Sequence, residues 1–104
     1  MSKMIIIVTT LHKKEDAVRI GHKLLKSRLI ACYNLWPIES AFWWKGKILE
    51  ENETTMIMKS QHKHFNEVRK FIKDESGYEV PEAIAISPKD VDKSYLNWVK
   101  TETE

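Results

Sequence analysis

Residues 29–60 read LIACYNLWPIESAFWWKGKILEENETTMIMKS. Strand formers dominate from Leu29 to Trp44, Lys45-Gly46-Lys47 supplies a turn, and a second extended stretch runs from Ile48 to Ser60. The reading is one long β-hairpin. Pro37 has no N–H to give to a ladder, which places it at a bulge or on an edge strand. Arms of about fourteen residues at roughly 3.3 Å each span about 45 Å, whereas a compact chain of this length is roughly 34 Å across. The hairpin therefore outruns its own domain. Its far portion holds Phe42, Trp43 and Trp44, with Trp36 midway, so a lone chain leaves large rings and unpaired strand edges in water. A second copy of the chain is the simplest cover. The alternative is a hairpin with shorter arms that bends at Pro37 and folds back on its own sheet.

Upstream, Ile5-Ile6-Ile7-Val8-Thr9-Thr10 is a β-branched run too short for a helix, apolar at successive positions like a strand buried on both faces. Ala17, Ile20, Gly21 and Leu24 then recur at helical spacing behind the acidic first-turn residues Glu15 and Asp16, giving a helix from Lys13 to Ser27. Downstream, Phe65, Val68 and Ile72 mark one face of a second helix from His62 to Glu75, with Gly77 as its stop. Val80 precedes Pro81 and is biased toward extended backbone, and Ala83-Ile84-Ala85-Ile86-Ser87 reads as a short central strand ended by Pro88. Val91, Tyr95, Trp98 and Val99 give a C-terminal helix with a fraying Thr-Glu-Thr-Glu tail. The order βαββαβ plus a last helix predicts an α+β, ferredoxin-like antiparallel sheet covered by two helices.

The chain has 104 residues, 42% of them hydrophobic, which suits one core and a single domain over 1–104. Seventeen Lys and Arg against 15 Asp and Glu leave +2, with the signs interleaved, so no basic stripe argues for nucleic acid. The apolar run near the start, Met4 to Val8, is too short for a signal-peptide core or a membrane span. A lone Cys32 makes no internal disulfide and agrees with a reducing compartment, so the cytoplasm is the expected location. Gly21, Gly46 and Gly77 lie too far apart for a phosphate-cradling loop, and none of the serines sits in a nucleophile-elbow pattern. The expectation is a protein that is not an enzyme.

His62 and His64 point to different sides if helical, and His12 and His22 stand alone, so all four read as bystanders. Cys32, beside Ala31 in a predicted strand, reads as a structural thiol. The aromatic and cationic mix Phe42-Trp43-Trp44-Lys45-Gly46-Lys47 has the composition of a base-stacking platform, which makes RNA a rival. Yet the core of the third strand, Thr55-Met56-Ile57-Met58, carries no ring, so interface packing is favoured. Glu79 and Glu82 flank a rigid turn, where they either bind a cation, accept from Lys59, or stand as solvated loop acids.

Five stretches in order resemble the CutA divalent-cation tolerance family: Arg28-Leu29-Ile30-Ala31-Cys32-Tyr33-Asn34, Phe42 to Ile48, Lys59, Gly77 to Glu82, and Tyr95-Leu96-Asn97-Trp98. The likeness runs from Ile5 to Val99. It implies a ferredoxin-like fold assembled as a homotrimer similar to the PII signalling regulators, with the hairpin and Trp36, Phe42, Trp43 and Trp44 at the subunit interface. It also implies clefts between subunits lined by Trp44, Lys59, Tyr78, Glu79, Glu82 and Tyr95, and a link to copper and other divalent ions. Some members hold a Cys at the end of the first strand and one or two His before the Tyr-Glu-Val-Pro-Glu stretch; here Thr9, Glu75 and Ser76 stand there. The remaining oxygen ligands suit a weakly bound divalent cation of the Mg or Ca type better than Cu(I). The second functional expectation is a PII-like sensor of a small anionic ligand, served by Lys59 beside an aromatic. No resident cofactor is assigned.

Overall fold

The computed structural model describes residues 2–104. Its elements are β1 (Met4–Leu11), α1 (Lys14–Lys26), β2 (Cys32–Trp44), β3 (Lys47–Gln61), α2 (Phe65–Glu75), β4 (Ile84–Ile86) and α3 (Lys93–Glu102), with a 3-10 turn at His62–His64 before α2. The strands form one antiparallel sheet in the order β2-β3-β1-β4, the ferredoxin-like arrangement expected from the sequence.

Side chains alternate across a strand, so the odd-numbered residues of β1 share one face. Ile5, Ile7, Thr9 and Leu11 are all buried there, opposite Ser60, Met58, Met56 and Thr54 of β3. The apolar stripe Ala17, Ile20, Gly21 and Leu24 of α1 and Val68 and Ile72 of α2 close over them. Burial of each large aliphatic side chain contributes about 1.5–3 kcal/mol. Gly21 is required by contact: a Cβ there would stand 2.7 Å from the Tyr33 ring, so α1 lies directly on β2.

The even-numbered face is different. Ile6 and Val8 pair with Lys59 and Ile57 of β3 and are only partly buried. Beyond them β4 presents Ile84 and Ile86, 50% and 49% exposed. The sequence reading of β4 as a central strand is therefore corrected: it is a three-residue edge strand bonded to β1 alone, and its apolar character is not consumed inside this chain.

The hairpin keeps one-to-one register from Cys32↔Lys59 through Pro37↔Thr54 to Trp44↔Lys47, so there is no bulge. Pro37 is tolerated because β2 is an edge strand. The ladder between β1 and β3 stops at Leu11↔Thr54, and beyond it Ile38 to Trp44 and Lys47 to Glu53 pair only with each other. The overhang makes the molecule 44 Å long against 27 and 22 Å. Its two-residue loop, Lys45 at φ 49° and Gly46 at φ 80°, has the left-handed backbone of a type I′ turn.

Two terminal expectations fail. His62–His64 form a 3-10 turn instead of the first turn of α2. The C-terminal tail is clamped, not frayed: Thr103 is fully buried, its hydroxyl donates to Val99 O at 2.7 Å, and Gln61 Nε2 donates to Thr103 Oγ1 at 2.9 Å. Arg28 Nη1 donates to Glu102 Oε2 at 2.6 Å beside it. Polar side chains of neighbouring elements thus replace the solvent that a short polar tail would otherwise choose. Of the stripe Val91, Tyr95, Trp98 and Val99, only Val99 is buried, and α3 starts at Asp92, whose carboxylate accepts from Ser94 N and Tyr95 N.

Candidate functional site

Gly77, at φ 80°, ends α2 and turns the chain back toward the hairpin. Tyr78 then donates its hydroxyl proton to Glu53 Oε2 on β3. His12, just past β1, stacks on the Tyr78 ring with centroids 3.9 Å apart and planes at 26°. The overhang and the segment after α2 enclose a cleft of about 810 Å³. Phe42, Trp44 and Tyr78 supply aromatic wall, and Glu51, Glu53, Glu79 and Glu82 supply carboxylates, whereas Glu39 and Trp43, in register with Asn52 and Ile48, lie on the opposite face of the hairpin. Glu51 and Glu53 are two apart on β3, so both face the same side. No Lys or Arg is among the lining residues. Lys45 stands at the rim, its Nζ 3.8 Å from Glu79 Oε2 and 5.6 Å from the Trp44 ring centroid.

Glu53 is only 8% exposed, and its neighbourhood carries the electrostatic signature of the site. Burial first, then the hydrogen bond to Glu53 and the charges of Glu53, Glu51 and Asp16, hold the Tyr78 phenol well above its usual range. Tyr78 therefore stays a neutral donor across the physiological range. Burial, with the Glu53 charge behind it, raises the Glu82 carboxyl above its ordinary value. Acids crowded into a partly dry cleft attract cations and repel anions. Among the described residues, no three His, Cys, Asp or Glu side chains converge as a ready-made metal centre.

Of the residues singled out in the sequence, Trp44, Tyr78, Glu79 and Glu82 come together in this cleft. Lys59 and Tyr95 do not. Lys59 pairs across from Cys32 and donates to Asn34 Oδ1 at 2.5 Å, so the bond to Glu79 or Glu82 that was one alternative in the sequence is not formed; Glu79 meets Lys45 instead. Tyr95 OH lies 3.7 Å from Cys32 Sγ, and burial, then the Cys32 contact, raises its phenol. Of the four hairpin aromatics, Trp36 and Trp43 are exposed, and Phe42 and Trp44 are partly buried in the cleft wall. The sequence reading missed Glu51, Glu53 and His12. The alternation Glu51-Asn52-Glu53 in a predicted strand was the available signal, since it sets two carboxylates on one face; His12 carried none. The positions where soft ligands were sought are otherwise engaged or enclosed: Thr9 and Ser76 are buried, and Glu75 accepts from Arg19 Nη1 at 2.7 Å.

Comparison with known proteins agrees with the whole chain. The model of the family described as CutA1 divalent ion tolerance protein matches residues 5–102. The divalent-cation tolerance protein CutA of Pyrococcus horikoshii is 41% identical over 101 residues, covering 97% of this chain and 99% of that protein. The solved structure of the periplasmic divalent cation tolerance protein CutA from Archaeoglobus fulgidus superposes with a TM-score of 0.95 at 38% identity, over 97% of this chain and 99% of that one. The crystal structure of CutA1 from Oryza sativa gives 0.93 at 31% identity, over 99% and 96%.

Proposed function

Because this chain belongs to the CutA1 divalent ion tolerance protein family, we propose that it is a non-enzymatic, homotrimeric binding or regulatory protein of metal-ion tolerance whose acidic clefts take up cations. The observation that carries this reading is the cleft lining, the four glutamates Glu51, Glu53, Glu79 and Glu82 with no Lys or Arg among its residues. An anion sensor would need the opposite charge there, and the Lys59 ammonium proposed to serve one is held by Asn34. Trimeric assembly is supported by the exposed Ile84 and Ile86 on the even-numbered sheet face and by the overhang, whose Trp43 is 72% exposed in the single chain. Copper is the cation the side chains favour least. Cu(I) seeks thiolate or thioether, and the contact that the Cys32 sulfur makes is with an oxygen, the Tyr95 hydroxyl at 3.7 Å.

Two measurements test the proposal. Light scattering at micromolar concentration is expected to give three times the 12.3 kDa chain mass; a monomer refutes the assembly. A thermal-shift series is expected to rise with Mg²⁺ or Mn²⁺ and to stay flat with ATP or phosphate, because only a ligand that favours the folded state stabilises it. A rise with the anions alone refutes the cation reading.

A further inference from the structure

We draw no further inference here: the strongest candidate, the cluster of Cys32, Asn34, Lys59 and Tyr95 where β2 and β3 meet α3, carries nothing because its polar groups engage one another, Lys59 with Asn34 and Cys32 with Tyr95, and nothing in the structure points to a ligand there.

Discussion

One sheet carries two faces with opposite fates. The odd-numbered residues of β1, Ile5, Ile7, Thr9 and Leu11, are all buried beneath α1 and α2, whereas Ile6 and Val8, one residue along, are only partly covered. The strand is apolar on both sides: α1 and α2 close over one, while on the other α3 covers only the end at Met4 and Gln61. A protein that spends aliphatic residues on an uncovered face pays in solubility unless something covers it. The first face makes the fold, and the second is the one the proposed trimer would cover.

This contrast can be broken from either side. Leu24→Ala, in the α1 stripe against the closed face, should cost about 2–5 kcal/mol through lost burial and a cavity. The measurement is denaturant unfolding, and a loss below about 1 kcal/mol would show that the closed face is not the principal core. Ile86→Asp, on the open face, should do the reverse. Because Ile86 is already 49% exposed in the single chain, the fold should persist by circular dichroism while the mass in light scattering falls toward one chain. An intact assembly would place the subunit contact elsewhere.

The smallest expected effect comes from the cleft. Burial and Glu53 raise the Glu82 carboxyl in the folded state. The folded protein therefore binds the proton more tightly than the unfolded chain, and stability falls as pH rises through the range between the two values. The penalty is complete above the folded value and vanishes below the unfolded one. Glu82→Gln should stabilise the protein at neutral pH and flatten that part of the profile. An unchanged profile would show that Glu82 is fully solvated.

The sequence carried the fold because its signals were local and redundant. Helical spacing named Ala17, Ile20, Gly21 and Leu24, and those four are the buried residues of α1. Lys45-Gly46 named the hairpin loop, and both residues have the positive φ such a loop demands. What stayed hidden depended on distant partners. Burial of Thr103 needs Gln61, and the cleft needs Tyr78 to fold back across to Glu53. Periodicity cannot report either contact. β4 misled for another reason: Ile84-Ala85-Ile86 looks central because it is apolar, and it is apolar on a side this chain leaves open. Part of the cleft was legible, namely Trp44, Tyr78, Glu79 and Glu82. Lys59 and Tyr95 sit apart from it within one chain, held by Asn34 and beside Cys32.

The clamp on the C-terminal tail also bears on the time order of folding. Arg28 and Glu102 are 74 positions apart, and Gln61 and Thr103 are 42 apart, so each bond closes a long loop whose entropic cost falls only after β3 and α1 are in place. Such contacts form late. Interactions made after the transition state act mainly on the rate of escape from the native state, not on the rate of reaching it. The tail is therefore a brake on unfolding: loosening it should leave refolding nearly as fast while shortening the lifetime of the folded chain.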